Sequence, residues 1–582
     1  MQSLNSTRLP THLAHLSSLS SLPLHPRILS LLLLSLVSSL LYHLYRLSFS
    51  RSSYATPLQG PPSPSLLFGF YKLLTSPTQD PGDIYESWSL TYGPAFRLPG
   101  GFGSSSVVIC DPRANAHFYA RETFGYVQTR LGRVFIENLF GRGLLWAEGE
   151  SHRRSRKALS PAFSNAAIRK LTPVFYDAAY KMKAIWDSTL DADDASSGEA
   201  LIDVQTWSVL RRLDSVGIAG FGHDFHALSP SPSSSSSSPS SPSNPVVEVF
   251  SSFGSADTSP LSQLVFLLGP VFPVLQHLPT KQNRVFKRLN ATMRGIADEL
   301  LRRNRGEGKG EDKSIIGLLV KAEQTNSSLG MSQEEILAQV ISLTVSSSSP
   351  PPLTPTPTLT LTPIPQWALI ELCRQPSKQQ QLRAELSQPH FVGTDPTFDQ
   401  LNTGLPYLDA VVHEVLRLHP PVSETTRVAA EDDIMPFSEP FTTASGERLT
   451  QLVVKRGTVV TSPIRYMNRA EAFWGADGKE FVPERWLDGG AMEGKQARQA
   501  RAKEIQGHKH ILTFSDGPRT CLGKSFALAE FKAVLSVLIR NYTFELPDGP
   551  DTKIEKHPSI LPRPKVAGEK GARVPLRVRR VE

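Results

Sequence analysis

One cysteine stands in the stretch TFSDGPRTCLGKSFALAEF (Thr513 to Phe531), between a turn rich in Gly and Pro and an amphipathic run. The other two cysteines, Cys110 and Cys373, are far away in sequence, so Cys521 lacks the spacing of a zinc site or a local disulfide. After it Phe526, Ala529, Phe531, Ala533, Val534, Val537 and Leu538 recur at helical spacing. Gly523 and Ser525 lie in the first turn, whose free N–H groups face back toward the sulfur. With the helix dipole they favour a thiolate over a thiol. Gly517 and Pro518 make a tight turn just before, and Arg519 is placed to reach an anionic group near the sulfur. The setting suits a sulfur anion beside a cation; an inert buried cysteine needs none of it.

Other residues could join such chemistry. Glu414 and Arg417 in HEVLRLHPP lie three apart, on one helix face. A zinc-protease reading of His413-Glu414 fails: the next histidine, His419, is six residues on, and helical zinc ligands need a spacing of four. EGESHRRSRKALSPAFS (Glu148 to Ser164) carries His152 and Arg156 four apart, and Arg427 follows Arg417 by ten residues. Read alone, these are a solvated basic helix and a surface-strand arginine. FVPERW adds Arg485.

Together the stretches resemble one family. FSDGPRTCLG matches Phe-x-x-Gly-x-Arg-x-Cys-x-Gly, the haem-binding loop of cytochrome P-450 monooxygenases. The resemblance implies Cys521 as the axial thiolate ligand of haem iron (haem b, iron protoporphyrin IX), pushing electron density toward O–O cleavage. It implies that Phe514 shields the sulfur, Gly517 permits the turn, Arg519 pairs a haem propionate and Gly523 lets the helix pack close to the porphyrin. Glu414 and Arg417 resemble the family's Glu-x-x-Arg pair, and Arg485 completes a Glu–Arg–Arg cluster. An exposed pair of that kind is worth only ~0.3–0.5 kcal/mol; losing one member of a buried cluster typically costs ~3–5 kcal/mol. His152, Arg156 and Arg427 are implied contacts of the propionates. YMNRAEAFWGADGKEFVPERW also resembles the stretch before the cysteine loop in fungal members.

The resemblance runs from about residue 60 to the C-terminus. It implies a mainly α fold with a small β-rich lobe, preceded by one N-terminal transmembrane helix. The implied activity inserts one atom of O2 into a lipophilic small-molecule substrate. Electrons come from NADPH through a separate FAD/FMN flavoprotein, NADPH–cytochrome P-450 reductase. The implied location is the endoplasmic reticulum membrane, in contact with lipid, with the catalytic domain facing the cytoplasm.

The elements that must position these groups are mostly helical by pattern: EEILAQVISL, LDAVVHEVLRL and FALAEFKAVLSVLIRNY. SSVVICD and RGTVVTSPI read as short strands. One element departs from the family. Its longest helix crosses the distal face of the haem and carries an Ala/Gly-Gly-x-x-Thr segment whose threonine helps deliver protons. Here MSQEEILAQVISLTV and QWALIELCRQPSKQQQLRAEL flank the tract Ser346 to Pro365, with seven prolines within Pro350 to Pro365. A proline inside a helix costs ~3 kcal/mol or more, so seven cost on the order of 20 kcal/mol, above the ~5–15 kcal/mol stability of a domain. The tract is therefore no continuous helix. Thr354, Thr356, Thr358, Thr360 and Thr362 lack the Gly-x-x-Thr setting, and no proton-delivery residue is assigned. Three explanations stand: non-coding sequence or a missed exon, a real insertion that breaks oxygen activation, or an outward loop around which the flanks rebuild the helix. Helical pattern intact on both sides of a low-complexity tract favours the first. If the tract is real, the alternative is a haem-binding homologue with impaired or no turnover.

The chain divides into an N-terminal segment 1–27, an anchor 28–47, a Pro-rich linker 48–65 and a monooxygenase domain 66–582, with low-complexity insertions at 229–245 and 346–365. Ile28 to Tyr45 contains no Asp, Glu, Lys or Arg. As a helix these eighteen residues span ~27 Å, close to the ~30 Å hydrocarbon core. Tyr42 and Tyr45 sit at one end, where aromatic rings favour the interface. The stretch is long for a cleaved signal peptide and no small-x-small site follows. SPLSQLVFLLGPVFPVLQHLP (Ser259 to Pro279) is apolar and broken by prolines, either a second membrane-dipping segment or core helices. Three cysteines in 582 residues fit a reducing compartment. The net charge of +8 comes without an arginine-rich run interleaved with aromatics, so it does not point to nucleic acid; it suits a membrane surface or an acidic protein, or simply a solvated surface with a charge excess.

Overall fold

The computed structural model describes residues 56–192, 198–228, 281–306, 331–347, 364–391, 393–487, 501–557 and 563–581, with isolated positions at 30–42 and 317. Asp-Pro pairs start two of its helices, α1 (Pro81–Tyr92) and α2 (Pro112–Ala120). The Asp80 side chain accepts from Gly82 N at 2.8 Å, and that of Asp111 from Ala114 N at 2.9 Å. Each carboxylate satisfies a free amide of the first turn, while the proline supplies a pre-set φ where no amide is needed. The longer helices that follow are α3 (Arg130–Phe140), α4 (Gly149–Leu159), α5 (Asn165–Ala192), α6 (Val204–Phe221), α7 (Lys281–Gly306) and α8 (Gln333–Ser347). After them come α9 (Ile364–Arg374), α10 (Pro376–Leu386), α11 (Pro406–Leu418) and α12 (Lys524–Asn541).

The helix after the cysteine is the centre of the packing. Every residue of α12 from Ala527 to Ile539 is buried, against α5, α10 and α11. A helix enclosed on all sides carries apolar residues around its whole circumference; Phe526 meets Phe175 of α5 edge to face, with centroids 4.8 Å apart. Its polar members are paired. Lys532 Nζ lies 2.7 Å from Asp409 Oδ1 and donates to the Leu401 carbonyl at 2.8 Å. Glu530 is shared by Arg211 and Arg212 of α6, both at 3.0 Å, so α6 and α12 are joined by buried charge.

Strands β1 (Ala95–Pro99), β2 (Ser105–Ile109), β3 (Tyr126–Gln128), β5 (Thr425–Ala429) and β8 (Val459–Ser462) form the largest sheet, in the order β1-β2-β8-β5-β3. β4 (Glu199–Asp203), β9 (Tyr542–Glu545) and β12 (Pro575–Arg580) form a second, with β12 central. β6 (Asp433–Thr442) pairs with β7 (Arg448–Val454), and β10 (Ile554–His557) with β11 (Arg563–Val566). In the large sheet Arg427 stands between Gln128 of β3 and Val460 of β8. SSVVICD and RGTVVTSPI are thus strands, as their β-branched runs predict.

α8 runs to Ser347 and α9 begins at Ile364, so two residues at each end of the Ser346–Pro365 tract are helical. Pro365 sits in the first turn of α9, where it is tolerated. Residues 348–363, the insertion at 229–245, the apolar stretch at 259–279 and most of 1–55 lie outside the described residues. Among the described residues no helix is long and apolar enough to cross a membrane. The described positions Leu31, Leu34, Val37 and Tyr42 are helical with exposed side chains.

Candidate active site

The cysteine loop is held by its backbone. Gly517 has φ +62°, and a Cβ there would lie 2.2 Å from the Tyr119 carbonyl oxygen, so only glycine fits the turn. Gly517–Arg519 forms a single 3-10 turn, and Cys521 N donates to the Phe514 carbonyl at 2.8 Å. Phe514 is 1% exposed and meets the His508 ring edge on. Gly523 is the N-cap of α12, and a Cβ on it would find only the Phe163 ring, at 3.8 Å. Nothing in the protein itself crowds that position.

Burial pushes the Cys521 thiol up to about 11, while the Gly523 N–H bond and the positive charges of Arg156 and Lys524 lower it. The helix start thus points its amide at the sulfur, as its position in the sequence predicts. Cys110 and Cys373 are fully enclosed, with no cation to favour ionisation, and burial pushes both thiols up further.

Cys521 lines a cavity of about 1750 Å³ of atom-free space, open mouth included. Leu144, Leu159, Val216 and Phe526 make much of its surface apolar, and Gln339 and Ser342 of α8 contribute polar groups. His152, Arg156, Arg427, Phe514, Arg519 and Gly523 also line it, so residues spread over 370 positions converge on one wall.

That wall is charged. Arg519 Nη2 donates to the Ala147 carbonyl at 2.6 Å and to Glu148 Oε2 at 2.7 Å. Arg427 Nε lies 2.9 Å from Glu122 Oε1 as an ion pair, and its Nη1 donates to the Thr426 carbonyl. Arg156 has no carboxylate within ion-pair distance among the described residues. Three guanidinium groups thus face two carboxylates. Nε of Arg519 is buried without a hydrogen-bond partner, and an unmatched buried donor of this kind calls for an anion. His152 is 3% exposed; burial, then Arg519, Arg156 and Arg427, push it down to about 3, so it is neutral at pH 7. The solvated face of α4 is elsewhere, at Arg153, which pairs with Glu150 in solvent. Glu122 and Glu148 escaped the sequence reading. Glu148 adjoins the basic helix in sequence, but nothing local marks Glu122.

A second charged group lies away from the cavity. Glu414 and Arg417 are 0% exposed. Arg417 Nε and Nη2 each donate to the Glu414 carboxylate at 2.8 Å, and Arg485 Nε donates to Oε1 at 2.9 Å. Trp486 Nε1 and Val482 N donate to the same carboxylate, both at 2.9 Å. Arg417 also donates to the carbonyls of Asn468, Gly478 and Glu480. Burial alone would raise the Glu414 pKa; Arg417, Arg485 and these donors hold it below the usual carboxylate range. The cluster ties α11 to the loop leading toward the cysteine and touches no part of the cavity wall.

Comparison with known proteins agrees with this geometry. The family model described as Cytochrome P450 matches residues 59–568. The chain is 55% identical to Cytochrome P450 monooxygenase claP of Ampulloclitocybe clavipes over 539 residues, covering 91% of this chain and 94% of that one. It is 54% identical to Cytochrome P450 monooxygenase claQ of the same fungus, with the same coverage. Cytochrome P450 monooxygenase 205 of Postia placenta is 31% identical, over 90% of this chain and 92% of its own length.

Proposed function

The chain belongs to the cytochrome P-450 family of monooxygenases, and from that premise we propose a membrane-anchored haem-thiolate enzyme acting on a lipophilic substrate. The observation that carries the reading is the convergence of Cys521, Arg156, Arg427 and Arg519 on one cavity wall, with the buried Nε of Arg519 unmatched. This donor set fits haem: a sulfur for the iron, and a surplus of cations for two propionates. Cys521 is the proposed axial ligand, with Arg156, Arg427, Arg519 and His152 at the propionates. When bound, haem supplies the activation of O2, placing one atom in the substrate and releasing the other as water.

The chain's own residues do the rest. Phe514 and the Cys521 amide fix the loop so that the sulfur faces the cavity. Glu148 holds Arg519 at the wall. Leu144, Leu159, Val216 and Phe526 displace water and favour an apolar substrate. Ser342 Oγ donates to the Ala338 carbonyl at 2.6 Å, so its proton is already engaged within α8. No described residue is assigned to proton delivery.

The reductase, membrane and compartment belong to this reading. The apolar stretch at 28–45 supports a single N-terminal anchor in the endoplasmic reticulum membrane, with the catalytic body on the cytoplasmic side. The charge of +8 supports docking of an acidic FAD/FMN reductase that passes on NADPH electrons. The second reading, a haem-binding homologue with impaired turnover, is favoured by one feature, the proline tract between α8 and α9.

The deciding experiment uses the full-length chain purified with haem. Reduced and exposed to carbon monoxide, it should give the red-shifted Soret band of a thiolate-ligated carbonyl, and Cys521→Ala should abolish that band. The same band in the alanine variant overturns the ligation. With reductase and NADPH, product formed in step with NADPH use supports the enzyme reading; thiolate ligation without coupled turnover supports the second.

A further inference from the structure

Glu122 follows α2 and is 0% exposed. Its one close partner among the described residues is Arg427 of β5, in an ion pair at 2.9 Å. The other groups facing it are Arg519 of the cysteine loop, Glu148 before α4, and Tyr119 of α2, whose hydroxyl is engaged with Ser462 Oγ at 3.0 Å. His152 on α4 stays neutral among the arginines. A carboxylate buried with a single close partner is held ionised chiefly by that cation.

The charges of the wall decide what happens next. Without ligand, Arg156, Arg427 and Arg519 outnumber Glu122 and Glu148 by one. On the haem reading above, two propionates join the wall and reverse the sign, leaving one negative charge in excess. Both glutamates compete with the propionates for the arginines. Glu148 is secured by Gln128 N at 2.9 Å and by Arg519 at 2.7 Å, whereas Glu122 has Arg427 alone, at 2.9 Å.

We propose that Glu122 is the proton-accepting carboxyl of the haem-propionate wall, taking up a proton when the iron is reduced. One electron from a one-electron donor enters the iron, and one proton from solvent forms an O–H bond at Glu122; no other bond is made or broken. The added negative charge at the iron favours the neutral carboxylic acid, so reduction and protonation support each other. Burial already raises the pKa of Glu122 above the usual carboxylate range, in the direction this requires. Glu122 is thus a positioning residue that acts through Arg427 and the field at the iron, without touching substrate.

The test is a spectroelectrochemical titration of the full-length holoprotein across the pH range in which it keeps its haem. The expected wild-type potential falls as pH rises, and in Glu122→Gln, which mimics the neutral acid, it is independent of pH. Equal pH slopes in the two proteins overturn the proposal. If the glutamine variant does not retain haem, the wild type decides alone. Redox infrared difference spectra on 13C-labelled protein with unlabelled haem should show a protonated-carboxyl band appearing on reduction, shifted by the label. A spectrum with no such protein band also overturns it. A wild-type chain that binds no haem defeats the ligation at Cys521 instead, so the two failures are told apart.

Discussion

At the scale of single residues, charge placement dominates this protein. Glu414 collects two arginines, an indole and an amide with no exposure to solvent. Removing its charge leaves Arg417 and Arg485 buried and uncompensated. Glu414→Gln should therefore cost about 3–5 kcal/mol of stability, read from urea unfolding at neutral pH. The pH dependence has a definite sign. The folded pKa of Glu414 is depressed, so its contribution is complete above the unfolded value of about 4.3 and drains away as pH falls below it. The gap between wild type and variant should narrow in acid. A gap of under about 1 kcal/mol at neutral pH would mean that the cluster behaves like a surface pair.

At the scale of elements, the sulfur is presented by a turn that tolerates one residue type. Alanine at Gly517 must keep φ +62° and bring its Cβ within 2.2 Å of the Tyr119 carbonyl. The left-handed conformation alone costs about 1–3 kcal/mol for a non-glycine residue, and the clash with backbone cannot relax by a side-chain rotation. Gly517→Ala should retain its helical circular dichroism while its haem content falls several-fold, because α12 is anchored independently by its enclosed faces and by Lys532 and Glu530. Full haem content in the alanine variant would show that the loop can shift without loss of the site. The distal elements behave differently. α8 brings Gln339 and Ser342 to the cavity and ends at Ser347; α9 resumes at Ile364, buried along its length, with Trp367 stacked on His419 at 4.0 Å. Both flanks are thus packed as parts of the body.

At the scale of the whole molecule, the expected division is between an anchor and a catalytic body. The described elements of the body, from Tyr71 to Arg580, lie after residue 55. A protein truncated of residues 1–55 should bind haem like the full chain yet no longer partition into phospholipid vesicles. Vesicle binding undiminished by truncation would assign the membrane contact to the body. The same preparation tests the basic surface: reduction by an acidic flavoprotein should slow as salt rises, since exposed charges are screened over a Debye length of ~8–10 Å.

The sequence by itself determined the chemistry that is local. The Gly-x-Arg-x-Cys-x-Gly loop, the helix after it, the strands SSVVICD and RGTVVTSPI, and the Glu-x-x-Arg pair are legible because turn chemistry, periodicity and capping act over a few residues. It also determined that no helix runs through seven prolines. Only the tertiary structure decided the rest. Arg427 and Arg519 come together because β5 pairs with β3, whose Gln128 amide holds Glu148, the partner of Arg519. Glu122 acquires meaning only there, since burial and the field of distant arginines leave no trace in neighbouring residues. The burial of Cys521 was decided in the same way. The helix start that favours a thiolate is local, but the desolvation that opposes it comes from the packed body around the loop, which short-range pattern does not contain.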